Sequence, residues 1–146
     1  MKRSFTFIEL LIVIAIISTF SLLTFPRIKN TLNRFQLDNF ARNIYYLCLY
    51  LQDTAARQGS VYCLNIDRNS GQVRGVSTDS TLLHSLDGRF GKVYHAPTGV
   101  TVASEKTGVC FYPDASADDI NIIFEDTAEN KVILTILGAT GEIKIE

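Results

Sequence analysis

The sequence has almost no net charge, little proline and no paired metal-binding cysteines, and each shortage closes off a class of function. Its 14 Lys and Arg against 15 Asp and Glu give a net charge of -1. No global basic field therefore draws the chain to nucleic acid or to acidic lipid. With 9 Gly, 3 Pro and no low-complexity tract, the body reads as folded rather than disordered. Cys48, Cys63 and Cys110 form no C-x-x-C pair and have no histidine beside them at ligand spacing, which argues against zinc. His84 and His95 stand alone, without a nucleophile motif. A glycine-rich phosphate loop is also missing. Asp114, Asp118 and Asp119 lack the ligand spacing and closing glutamate of a calcium loop and read as a solvated turn. No metal, cofactor or catalytic constellation is expected, and the chain does not read as an enzyme.

Hydrophobicity is plentiful but unevenly spread. The mean hydropathy of +0.15 is carried by the N-terminus. From Phe5 to Phe25 the run of 21 residues contains one charge, Glu9, and ends at Pro26. As a helix it would span about 30 Å, the thickness of a bilayer core. Lys2 and Arg3 precede it, which places the N-terminus in the cytoplasm and the rest of the chain across the membrane.

Three readings of this segment compete. A secretory signal peptide needs an apolar core of about 7–15 residues and a small-residue cleavage site, and the run is too long and ends in Thr24-Phe25-Pro26-Arg27. A plain anchor explains the length but not Glu9, since a carboxylate inside such a stretch costs about 2.5–3.5 kcal/mol on insertion scales. The third reading gives Glu9 a positive partner on assembly. A cut between Ser4 and Phe5 would free the α-amino group of Phe5 at the same depth, where a neighbouring staggered helix could present it to Glu9. A buried pair is far less costly than a buried lone charge.

The opening Lys2-Arg3-Ser4-Phe5-Thr6-Phe7-Ile8-Glu9-Leu10 resembles the class III signal of type IV pilins and type II secretion pseudopilins. The resemblance implies removal of residues 1–4 by prepilin peptidase, N-methylation of Phe5, and assembly guided by Glu9. Pro26 falls where that family often carries a helix-kinking proline. Ser4 departs from the usual glycine before the cut.

Residues 31–58 keep a helical pattern, with Leu37, Phe40, Ile44, Leu47, Leu51 and Ala55 at spacings of three and four. Gly59 is the expected stop. Pro26 should kink or loosen this helix rather than end it. Tyr45-Tyr46 and Leu49-Tyr50 read as core packing on further sides of it. From Ser60 the period changes to that of strands. Val61–Ile66 and Gln72–Val76 form a hairpin, and 77–106 reads as polar and irregular with short apolar pieces around Leu82–Leu86 and Val100–Ala103. Val109–Tyr112, Ile120–Glu125, Lys131–Leu137 and Glu142–Ile145 are the remaining strands. Antiparallel hairpins on one amphipathic helix predict an α+β domain.

Phe111-Tyr112-Pro113-Asp114-Ala115-Ser116, followed by two strands and a closing Gly141-Glu142-Ile143-Lys144, is similar to the C-terminal half of GspH/FimT-type minor pseudopilins. Ala115 replaces their usual glycine. The likeness implies a long N-terminal helix packed against an antiparallel β domain of two small sheets. It also implies a leader at 1–4, a transmembrane and assembly helix at 5–25, and a periplasmic domain at 26–146. The implied partners are other pilins in a hetero-oligomeric filament, prepilin peptidase and the inner membrane. The alternative is a type IV pilus minor pilin of the DNA-uptake or adhesion type. DNA-binding relatives carry arginines in the last strand, where this chain has Glu142, so DNA is not an expected partner. Arg68, Arg74 and Arg89 are the other cations that a basic patch would need. The cysteine count allows at most one disulfide and leaves at least one thiol. Buried small apolar residues are the plainest reading of the cysteines, and an inter-strand Cys63–Cys110 bridge is the alternative if the domain is exported to an oxidising compartment.

Overall fold

The fold is taken from a computed structural model of the chain. It describes residues 6–79, 82–85 and 88–146, side chains excepted at 21–30, 79, 82–85, 88 and 89. Ser4 and Phe5 lie outside the described residues.

Helix α1 runs unbroken from Phe7 to Gln58. At 1.5 Å per residue it is close to 80 Å long. Pro26 lies within it and does not end it. Gly59 ends it in the left-handed conformation at φ 65°, its N–H donating to the Ala55 carbonyl at 3.0 Å.

Among the described residues nine strands follow: β1 Val61–Asp67, β2 Gln72–Asp79, β3 Leu82–Ser85, β4 Tyr94–His95, β5 Val100–Ser104, β6 Gly108–Phe111, β7 Ile120–Asp126, β8 Lys131–Leu137 and β9 Glu142–Ile145. They form two antiparallel sheets. The first has the order β3-β2-β1-β6, with β4 also on β2, and the second has the order β5-β7-β8-β9. Alternation decides which faces turn inward. Tyr62, Leu64 and Ile66 of β1 are buried, as are Ile120, Ile122 and Phe124 of β7 and Leu134 and Ile136 of β8. Leu37, Ile44, Leu47, Cys48, Leu51 and Ala55 of α1 are fully buried against them, with Phe40 edge-on to Phe124 at 5.5 Å. The result is a long N-terminal helix on an antiparallel domain of two small sheets.

Two expectations need correction. The segment 77–106 is not irregular. β2 extends to Asp79 and pairs with β3 (Val76 with Ser85, Thr78 with Leu83), and β4 and β5 also fall within it. Its strands are short, and β3 and β5 each lie at one end of a sheet, so no long alternating run announces them. The second half of α1 is also less covered than its aromatic residues imply. Tyr46 is 55% exposed and Leu49 37%, while Tyr45 is half-buried and Tyr50 stacks on Phe90 at 4.0 Å.

The turn at Phe111–Ser116 explains its own chemistry. Asp114 accepts hydrogen bonds from the N–H and hydroxyl of Ser116, and these hold its carboxyl below the usual carboxylate range. Ala115 sits at φ 67°, a conformation that glycine adopts without the Cβ penalty.

Candidate assembly interface

The first stretch of α1 has no domain to lean on. Thr6 is its N-cap, in extended conformation, and its carbonyl accepts from the N–H groups of Glu9 and Leu10. Every side chain from Thr6 to Phe20 is exposed, with Phe7 at 76% and Phe20 at 68%. A continuous apolar sleeve of this size is not left to water. The hydroxyls of Ser18 and Thr19 make no demand on the surroundings. Ser18 donates to the Ile14 carbonyl at 2.8 Å and Thr19 to that of Ala15 at 2.5 Å, the internal satisfaction that a helix in an apolar medium requires. Glu9 differs. It lies exposed in the first turn, where the helix dipole favours an anion, and among the described residues it joins no ion pair. It is the one charge on the sleeve.

Among the described residues no helix is long and apolar enough to cross a membrane. Within the N-terminal apolar run the described side chains stop at Phe20, short of the ~20 residues that a span needs. The apolar run of the sequence extends past them at both ends, to Phe5 and Phe25.

The β domain is locked by polar contacts that sequence periodicity does not register. The Gln52 side-chain amide donates to the carbonyls of Ala115 and Gly141 at 3.1 and 2.7 Å, tying the helix to two turns. Gly141 has φ 65°, and a Cβ there would lie 2.0 Å from the Ala115 carbonyl oxygen. Asp119 accepts from the Gly138 N–H at 2.7 Å, and Asp118 from the Cys110 N–H and the Tyr112 hydroxyl. Asp118 also pushes the Tyr112 phenol up by its charge. These aspartates therefore fasten loops, and among the described residues no group of acidic, Cys or His side chains is arranged to hold a metal.

Buried Asp126 accepts from Asn130 and from the Ala128 and Asn130 N–H groups, which lowers its pKa, the Asn130 side chain being the largest cause. Cys63 and Cys110 are direct cross-strand partners, with Cα atoms 4.0 Å apart and sulfurs at bonding distance. Cys48 is a free thiol within the core, pushed up to about 12 by burial.

Arg68 donates to the Ser104 carbonyl at 3.2 Å, Arg74 is exposed on β2 across from Asn65, and Lys144 is paired to Glu142 at 3.1 Å. His95 is exposed on β4. The side chains of Arg89, His84 and Pro26 lie outside the described residues.

The helix and its two-sheet domain have counterparts of known structure over about three quarters of the chain. The minor pseudopilin EpsH from the type 2 secretion system of Vibrio cholerae superposes with a TM-score of 0.68, covering 76% of this chain and 96% of that one at 10% identity. The fold is that of a minor pseudopilin. The type IV minor pilin FimU of Pseudomonas aeruginosa shares it, with a TM-score of 0.61 over 77% of this chain and 90% of that one at 11% identity. No family model and no curated protein matches the sequence.

Proposed function

We propose that this chain is a minor pseudopilin, a structural subunit of a type II secretion pseudopilus, without enzymatic activity. The observation that carries the reading is the division of one helix. Residues 7–20 are an exposed apolar sleeve with the single charge Glu9, and residues 37–55 are the spine of a pseudopilin-like domain. In this reading prepilin peptidase cuts between Ser4 and Phe5, Phe5 is N-methylated, and the apolar run holds the subunit in the bacterial inner membrane. Lys2 and Arg3 stay cytoplasmic and the β domain periplasmic, where an oxidising environment suits the Cys63–Cys110 bridge. In the filament Glu9 meets the α-amino group of a neighbouring subunit. Pairing offsets the desolvation of both charges, and it favours the assembled state because the lone subunit has no such partner.

The likeness to FimU supports a second reading, a minor pilin of a type IV pilus. Its DNA-uptake form is disfavoured by Glu142, whose carboxylate repels phosphate and lies 3.1 Å from the Lys144 ammonium.

Intact-mass analysis of protein extracted from membranes tests the proposal. A chain beginning at methylated Phe5 is expected, and one beginning at Met1 or Lys2 would refute processing. Glu9→Ala should insert at least as well as the wild type but co-purify poorly with other pilins. Normal incorporation would remove Glu9 from its role.

A further inference from the structure

The disulfide lies on the outward face of the first sheet, and its two ends are not equivalent. Cys63 and Cys110 stand directly opposite each other on β1 and β6, and both are half-buried. Their chain neighbours Tyr62, Leu64, Val109 and Phe111 belong to the core, so alternation turns both cysteines outward. Cys63 sits on an inner strand. On its β2 side stand buried Val76, its direct partner, and exposed Thr78, whose hydroxyl lies 3.6 Å from Cys63 Sγ. A disulfide sulfur carries no proton, so the hydroxyl is the donor in that contact. Cys110 sits on β6, the last strand of its sheet, and Gly108, two residues before it on the same face, has no side chain. Cys48 is fully buried, so a thiol from outside meets only the bridged pair.

The backbone around Cys110 is held without the bridge. The Cys110 N–H donates to Asp118 Oδ2, and the Cys110 carbonyl accepts from the Asp118 N–H, both at 3.0 Å. The Ile66 N–H donates to the Thr107 carbonyl at 2.8 Å, and the β1–β6 pairing runs from Tyr62 opposite Phe111 to Asn65 opposite Gly108. Breaking the S–S bond therefore leaves the two sulfurs opposed and able to rejoin. The bridge adds stability to the domain without being what sets its register.

We propose that Cys63–Cys110 is a directional thiol–disulfide exchange site of the folded domain, and that its partner is a dithiol protein. The inference is independent of filament assembly. Exchange proceeds by attack of a thiolate on one sulfur and departure of the other, and access and the leaving group decide which. The attacking thiolate approaches from the side away from the sulfur that leaves. For Cys63 that side lies over Val76 and Thr78. For Cys110 it is the edge of the sheet. The partner's thiolate therefore bonds to Cys110 Sγ, the S–S bond breaks, and its electron pair leaves on Cys63 Sγ. The Thr78 hydroxyl stabilises that thiolate until it takes a proton from water. The Asp118 carboxylate, held to the Cys110 N–H, opposes negative charge on the other sulfur and makes Cys110 the poorer leaving group. The partner's second thiolate then attacks its own sulfur in the mixed disulfide and releases Cys110, which is protonated in turn. Two electrons and two protons pass from the dithiol to the cystine, and the partner leaves as a disulfide. The same steps run backward insert the bridge.

The test treats the detergent-solubilised full chain with reduced glutathione as the probe thiol. An acid quench and peptic digestion at low pH keep each adduct where it formed, and peptide masses assign it. Glutathione is expected on Cys110 in several-fold excess over Cys63. Equal labelling, or an excess on Cys63, overturns the direction of exchange. Thr78→Val should slow opening several-fold and Thr78→Ser should restore it, while an unchanged rate in Thr78→Val removes the hydroxyl from its role. Urea below the unfolding transition should barely change the opening rate, because the attacked sulfur is reachable in the folded domain. A steep rise with urea would show that the bridge opens only through unfolding, and the exchange site would then be refuted.

Discussion

The two halves of α1 share one backbone conformation and have opposite surroundings. Residues 7–20 are apolar on all sides and exposed on all sides. Residues 37–55 are apolar on one side, and that side is the centre of the core. A helix that is hydrophobic all round needs an environment that is apolar all round, whereas an amphipathic one needs a single partner surface. The contrast teaches that the stability of the domain and the assembly proposed for the helix are separable in this chain. The domain is held by the second half, and the first half remains available to lipid or to neighbouring helices.

The largest expected effect strikes the core beneath the second half. Phe124→Ala removes the ring that meets Phe40 edge-on and should lower domain stability by about 3–5 kcal/mol. Ile12→Ala, in the exposed half, should shift it by no more than ~0.5 kcal/mol. Thermal unfolding of the detergent-solubilised full chain compares the two, and equal losses would break the division. Next comes the cross-strand bridge. Cys63→Ala opens a link between residues 47 apart in sequence and should cost about 2–4 kcal/mol, read by denaturant titration with and without reductant. It should leave membrane extraction of the chain unchanged.

The smallest effect is a pH dependence confined to the domain. The hydrogen bonds to Asp126 depress its folded-state pKa. Its contribution is therefore present above the unfolded value of about 3.9 and is lost as pH falls through the lower folded value. Unfolding midpoints measured below pH 4 should drop in the wild type, with a shallower acid limb in Asp126→Asn.

Some of this was legible in the residues before any fold was known. The spacing of Leu37, Ile44, Leu47 and Leu51 marked the buried face of α1, and Gly59 its end. The alternation in 120–125 and 131–137 marked the long strands of the second sheet. Other features were hidden because their partners are far apart in the chain. Gln52 looks like an ordinary polar helix residue, yet it closes two turns 63 and 89 residues away. Leu82–Ser85 is too short and too mixed to read as a strand until β2 offers it an edge. Tyr46 looks like core because aromatic residues cluster around it, and only the position of the sheets leaves it outside.

The sequence by itself determined the helix, the place where its character changes, and the isolation of Glu9 within apolar surroundings. These follow from local chemistry: periodicity, capping, and the cost of a charge away from water. Tertiary structure alone decided which side of the helix the sheets would cover. It also decided that Cys63 would face Cys110, and that Leu32, Phe35, Tyr46 and Leu49 would be left exposed. Burial depends on where distant strands pair, and pairing is a property of the whole chain rather than of any stretch of it.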